Sequence, residues 1–558
     1  MKENPNCKTI KCKLDKVLHK SYNYDCLFNV ISRTNKITFI VSHFIRAFIL
    51  FQYKHNKKIP NTNKAFIMSV FKLFAKSSCG PKKKSRNNLF ENELKDYYEN
   101  HFCKKITGKD EKIIFDQKNL SYVIQEVAVE MEISFTNNIQ INYFKYVCQF
   151  VNQYFKKKHE IEVQKCKNNK KEKRKELRKE LSNLKDAMMN NTSNYNLKYE
   201  NFIKEYNDKI FPDVIGSYEA DIKVNKFKYI KHMLFMNNYL EENNLKTFQP
   251  ISLRSDLKNK YVTLNTNSLV DIFPFTNKNN YNKDIRGKAS EIWKIIFNIS
   301  DKKFRFKDYS FNHQVSTDGY SVSISFIKNS EISKKNIKLD RQKNGRDKAK
   351  NSQKGKSEEN IKLLMEQKGE DKLIKKKKLI EKNILDFKQK QKEFKKLPKE
   401  DQEKLKFNKK INNEFNYIED LVNVHTFLSQ LKKDEHDGKL VYVDPGKRSI
   451  GTFMGENGYF NYTSKMRTYS TKRTKYNKLI DSMKQKTLLD GKTVKEWEEE
   501  LSYYNKKTID LDKFESYMKI KISMKDLIEE ETKYNTYLQK LKWFLYLYLF
   551  QMKFYVLK

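Results

Sequence analysis

Along the first part of the chain, apolar residues recur at three- and four-residue intervals. Phe39, Ile40, Phe44, Phe48 and Ile49 share one side of a 3.6-residue helix. The spacing predicts two amphipathic core helices between Leu27 and Phe74, parted at Pro60, which cannot continue a helix. Leu120 to Met189 reads as further long helices. Their last part, Asn168 to Lys185, alternates Lys and Arg with Glu around few apolar positions, the pattern of a helix facing solvent or RNA. Tyr195 to Tyr239 continues helical. Near Thr247 the character changes: Ile251, Leu253, Tyr261, Val262 and Leu264 are strand-like, Ser268 to Phe273 is a short apolar run, and Ala289 to Phe297 reads as a helix. Val322, Ile324 and Phe326 then alternate with Ser321, Ser323 and Ser325, the period of a half-buried strand, behind a hairpin-type Asp318-Gly319 turn. Asn329 to Lys410 is a low-complexity basic tract. Beyond it three short strands follow, Leu440 to Asp444, Ser449 to Met454 and Tyr459 to Tyr462, and then one helix from Ser464 to Lys486.

This succession predicts an α+β multidomain chain. Its expected parts are an N-terminal segment (1–26), a helical lobe (27–246), a β-rich module (247–328), a basic low-complexity insertion with a protruding helix (329–412) and a last domain (413–558).

Composition alters the picture in one direction. Against 69 Asp and Glu stand 114 Lys and Arg, a formal charge of +45 over 558 residues. Such a chain repels itself unless a polyanion is present, which points to nucleic acid and away from a neutral small-molecule enzyme. A coding sequence rich in A and T would enrich Lys, Asn, Ile, Tyr and Phe together, so charge alone leaves that explanation open. The seven cysteines are odd in number and form no C-x-x-C pair, which fits neither a disulfide framework nor a zinc site. Reduced thiols are the expectation. The apolar stretch Ile37 to Phe51 contains His43 and Arg46, and no membrane segment or signal peptide is expected. Pro81 to Arg86, rich in Lys and Arg, resembles a nuclear import signal.

The chemistry-bearing candidate is Asp444. An apolar strand delivers this carboxylate at its end, and Pro445 and Gly446 stop the ladder directly after it. A meander of three strands with an aspartate on the first is how RNase H-like nucleases begin. In that chemistry several carboxylates hold two Mg²⁺ roughly 4 Å apart, and Mg²⁺ takes hard oxygen ligands. Asp-Pro-Gly is also a common turn sequence, and a plain turn aspartate is the competing reading. The following helix carries Lys465, Arg467, Lys472, Arg473 and Lys475 around an expected apolar side of Met466, Tyr469, Tyr476, Ile480 and Met483, which suits a phosphodiester backbone.

Val443-Asp444-Pro445-Gly446-Lys447-Arg448, Gly458 to Thr463 and Thr471 to Tyr476 together resemble the first RuvC motif and following helix of Fanzor proteins, the eukaryotic and viral relatives of TnpB. Ser252-Leu253-Arg254-Ser255 with Lys260-Tyr261, Phe311-Asn312-His313-Gln314 with Thr317-Asp318-Gly319, and Lys540 to Trp543 stand in the order that family shows. Arg33-Thr34-Asn35-Lys36 is a weaker match. The resemblance implies a wedge-like β-barrel, with the N-terminal segment 1–26 as part of it, interrupted by a helical recognition lobe, then an incomplete RNase H-like (RuvC) domain. It implies an RNA-guided DNA endonuclease with guide RNA and target DNA as partners, a monomeric ribonucleoprotein in the nucleus, with Mg²⁺ as cofactor and no zinc in this chain. Asp444 would be the catalytic Mg²⁺ ligand. Lys447, Arg448, Lys465, Arg467, Lys472, Arg473 and Lys475 would bind nucleic acid, and His313, Asp318 and Gly319 would belong to the wedge. The family's later glutamate, four-cysteine zinc element and second aspartate have no counterpart after Trp543, so the expectation is a chain inactive by itself. A catalytically inert RNA- and DNA-binding transposon remnant is the alternative, and an unrelated DNA-binding or structural protein is the third reading.

Overall fold

The computed structural model describes residues 7–19, 24–76, 90–107, 111–165, 170–190, 201–202, 218–252, 254, 259–276, 278–299, 301, 304–332, 389, 442–444, 449–455, 458–470, 472–486, 488–489 and 491–524. The import-like cluster 81–86, nearly all of the tract 329–410, and Lys540 to Trp543 lie outside them. The chain divides into two compact units, one of residues 1–371 and 484–535, the other of 372–483 and 536–558.

The first unit holds a four-stranded antiparallel sheet in the order β1-β4-β3-β2, from β1 (Cys7–Lys13), β2 (Val262–Asn265), β3 (Tyr309–Thr317) and β4 (Ser321–Lys328). β1 pairs with β4 from Cys7↔Ile327 to Lys13↔Ser321, so every helix between β1 and β2 is inserted between two strands of one sheet. The alternation seen in β4 divides the sheet's faces as its period requires. Val322, Ile324 and Phe326 are buried with Val315 and Leu264, while Ser321, Ser323 and Ser325 are only half-buried, beside exposed Thr9 and Lys11. The short apolar run is helical as far as Ile272, and Phe273 caps it in extended backbone. Asn265 and Ser268 form a capping box that starts α9 (Thr266–Ile272) immediately after β2. Trp293, on α11 (Ala289–Ile296), donates its ring N–H to Thr266 Oγ1 at 3.0 Å and fixes that helix beneath the sheet strand.

The helices are organised around α1 (Asp25–Lys54), which is buried without interruption from Ile37 to Gln52. It is therefore a central helix and not the amphipathic one expected, because α2 (Lys64–Leu73), α5 (Ser121–Lys165) and α15 (Leu511–Ser523) surround it. Its length and apolarity match a membrane-crossing helix, yet 94% of its most apolar window is buried inside the protein. A π-helical turn, Tyr97–Phe102, joins α3 (Glu91–Asp96) to α4 (Cys103–Thr107) and places Tyr97, Tyr98 and Phe102 against Phe44 of α1. Helix α6 (Lys170–Asn190) lies on α5 through Leu177, Leu181, Leu184 and Met188. The helix expected to face solvent or RNA thus buries one narrow seam at three- and four-residue spacing, while most of its other residues are exposed. Helices α7 (Tyr218–Val224) and α8 (Tyr229–Glu242) complete this body, together with α10 (Lys278–Lys283) and α14 (Val494–Ser502).

The described part of the second unit is a three-stranded antiparallel meander, β5 (Tyr442–Asp444), β6 (Ser449–Gly455) and β7 (Gly458–Thr463), followed by α12 (Ser464–Ser470) and α13 (Arg473–Lys486).

Candidate nucleic-acid interface

Asp444 closes β5, and its backbone is in register with Thr452 on β6, which in turn is in register with Asn461 on β7. Asp444, Thr452 and Asn461 thus share one register row across the meander. Thr452 Oγ1 donates to Asn461 Oδ1 at 2.6 Å. Side chains alternate across a sheet, and the alternation is visible here: Asn461 and Met454 are exposed, while Tyr462, the next residue, is 2% exposed. Asn461 and Met454 therefore mark the open face of the meander. Sequence reading singled out Asp444 alone, because cross-strand partners depend on register, which the linear pattern does not carry. The oxygen donors in this row suit Mg²⁺ by type. One carboxylate with two neutral oxygens falls short of a two-metal set, and no cluster of three metal-ligating side chains occurs among the described residues. No chemical step is therefore derived through a metal.

The helix expected from Ser464 to Lys486 is two helices. Lys472 has φ of 53°, left-handed backbone that no α-helix passes through, and it separates α12 from α13. Its carbonyl accepts from Tyr476 N at 3.1 Å, so the break also begins α13. Lys465, Lys472, Arg473, Lys475 and Lys478 are exposed and Arg467 is half-buried. The expected apolar side is only partly realised: Ile480 is buried, whereas Met466 is 38% and Tyr469 86% exposed. The result is a basic surface with a protruding aromatic ring. Lys447 and Arg448 lie outside the described residues.

In the first unit, β3 bulges between Phe311 and Val315, where three intervening residues on β3 stand against the single Ser325 on β4. His313 sits in this bulge with φ of 51°, its Nε2 3.1 Å from Ser290 Oγ and its ring 5.3 Å from that of Phe311. A bulge re-aims side chains, and here it presents Asn312, His313 and Gln314 at the sheet's surface. Asp318 has a different position. Its Oδ1 accepts from Tyr320 N at 3.1 Å, Ser321 N at 2.8 Å and Ser321 Oγ at 3.0 Å, so the carboxylate builds the β3–β4 turn. Gly319 supplies that turn's left-handed residue at φ of 89°.

Two segments far apart in sequence meet at Asn35. This buried amide on α1 accepts from Lys260 N at 2.9 Å and from the Arg254 guanidinium, and donates to Ile31 O at 2.7 Å. Ser252 Oγ lies 2.9 Å from Ser134 Oγ on α5. Asn35, Arg254 and Lys260 thereby form one joint between the central helix and the entry to β2. Arg33 itself donates to Lys118 O at 2.6 Å.

A family model described as a domain of unknown function, DUF8286, matches residues 262–328. The match begins with the first residue of β2 and ends with the last of β4, and so includes the bulge and the turn. No curated protein matches the chain.

Proposed function

We propose that this chain is the nucleic-acid-binding body of an RNA-guided DNA endonuclease of the Fanzor/TnpB kind, with the sheet of the first unit as its wedge-like module and the meander as the start of an RuvC-type domain. The observation that carries the reading is the meander itself: Asp444 at the end of its first strand, in a row with Thr452 and Asn461, followed at once by the exposed Lys465, Lys472, Arg473 and Lys475. An aspartate ending the first strand of a meander that leads into a basic, aromatic-bearing surface suits a phosphodiester substrate, and the charge of +45 extends that preference to the whole chain. In this reading Asp444 is a Mg²⁺ ligand, the basic helices track a nucleic-acid backbone, and guide RNA delivers sequence recognition by pairing.

The test is a binding and cleavage assay with the 558-residue chain, RNA transcribed beside its gene, matching DNA and Mg²⁺. RNA binding and RNA-dependent capture of matching DNA, without cleavage, are the expected outcome, since one carboxylate does not fix two ions. Cleavage that Asp444→Ala abolishes would show that these residues contain the remaining ligands. A chain that binds neither RNA nor DNA would overturn the proposal.

A further inference from the structure

Beside the β3–β4 turn, the first unit has a cavity of about 370 Å³, lined by Lys13, Tyr24, Phe28 and Tyr320 among others. Backbone hydrogen bonds hold its walls. Leu14 N donates to Tyr320 O at 2.9 Å, His19 N to Ile296 O at 3.2 Å and Asn298 N to Val17 O at 2.7 Å, so the end of β1, the start of β4 and the end of α11 frame a formed pocket. Phe28 stands out within it. It lies in the first turn of α1, a helix buried without interruption from Ile37 to Gln52, yet is 44% exposed. Gly319 lies beside that ring: a Cβ added there would touch Phe28 Cδ1 at 3.4 Å, an ordinary contact, on backbone already at a positive φ. Lys13 Nζ is 5.9 Å from the centre of the Tyr320 ring, a cation at an aromatic wall. Asp15 also lines the cavity and offers an acceptor to an exocyclic amine.

We propose that this pocket receives the base of one unstacked nucleotide of a bound RNA strand, with Phe28 and Tyr320 as stacking surfaces and Lys13 as the cation for its phosphate. The proposal deepens, and rests on, the nucleic-acid reading above. Planar rings with a nearby ammonium match the chemistry by which proteins hold single-stranded bases regardless of sequence. A pocket at the small end of the roughly 300–1,000 Å³ range of ligand sites suits one base and its sugar.

The experiment measures binding of the full chain to a single-stranded RNA carrying 2-aminopurine, by anisotropy and by quenching of that base, with AMP as a separate ligand. Phe28→Ala and Tyr320→Ala should each weaken RNA binding about 5- to 150-fold, the loss of one base–aromatic stack. Phe28→Trp should restore both affinity and quenching. Tyr503→Ala, which removes an 86% exposed ring outside the pocket, should change neither. Circular dichroism identifies a variant that has unfolded, and Phe28→Trp with Tyr320→Ala then carries the test. Wild-type affinity in both alanine variants would overturn the pocket and leave the nucleic-acid reading standing. A chain that binds no RNA but binds AMP through Phe28 would overturn the strand-binding proposal together with that reading, and assign the pocket to a free nucleotide. Binding of neither would overturn both.

Discussion

Arg46 lies in the middle of α1 with no exposed surface, donating from Nη2 to the Thr508 carbonyl at 3.0 Å, its guanidinium carbon 4.7 Å from the centre of the Phe514 ring. Burial lowers its pKa to about 10, against the opposing pull of Tyr517 and Glu241, so it remains charged at neutral pH. Glu241 accepts from Ile509 N at 2.8 Å and from the Thr508 hydroxyl, which ties α8 to the same loop. Removing one member of such a buried set leaves the others without compensation. Arg46→Ala is expected to destabilise the first unit by about 3 kcal/mol in denaturant titration, and Arg46→Met by less, because it keeps the volume. His43, one turn earlier, is neutral. Burial first, then nearby Lys521, Arg46 and Arg254, lower its pKa from 6.5 to about 3, although its bond to the Phe39 carbonyl opposes this. Below pH 6.5 the unfolded chain takes up a proton that the folded one refuses, so this stability is fully present above pH 6.5 and declines as pH falls toward 3. At pH 5 the site costs about 2 kcal/mol. Burial depresses His232 in the same direction. His43→Leu should therefore narrow the difference in stability between pH 7 and pH 5, and an unchanged difference would refute the assignment.

At the scale of elements, what the linear pattern reveals depends on whether the cause is local. The serine alternation of β4 and the Asp318-Gly319 turn are local, and the structure has both where the spacing puts them. The pairing of β1 with β4 is not local. Lys8, Lys11 and Lys13 obscure its alternation, and nothing in the segment names its partner. The uninterrupted burial of α1 escaped for a related reason: periodicity shows which side is apolar, not that further helices cover the polar positions Asn35, His43 and Arg46. The break at Lys472 has no Gly or Pro to announce it. Of the candidate site, Asp444 and the basic residues were legible from residue type and order, whereas the row with Thr452 and Asn461 needed the register. The break has a functional consequence. It leaves Lys472, Arg473 and Lys475 exposed around the start of α13. Replacing all three by Ala should leave thermal stability unchanged and reduce the slope of log affinity for single-stranded RNA against log salt by about 2, at roughly 0.7 per phosphate contact. Lost stability would place these side chains in the core, and an unchanged slope would remove them from the interface.

For the whole molecule the dominant quantity is charge, +45 over 558 residues. Charge of this size has two physical consequences that can be separated. Without a polyanion, like charges repel one another, and the compact state should gain stability as salt screens them. With RNA, salt acts in the opposite sense, because each Lys or Arg that meets a phosphate releases a counterion and added salt opposes that release. The chain without RNA should therefore melt at higher temperature in 200 mM than in 50 mM salt, while its affinity for RNA falls about 1,000-fold or more over the same interval if six to ten phosphates are contacted, the order of magnitude known for such interfaces. The two measurements discriminate between a functional cause and a compositional one. Lysines accumulated only through coding bias would still give the salt-dependent melting, since that needs charge alone. They would give no tight RNA complex to titrate, since tight binding needs the lysines gathered on surfaces such as the start of α13. Salt-insensitive RNA binding, or melting without binding, would thus assign the charge to composition and withdraw the nucleic-acid reading.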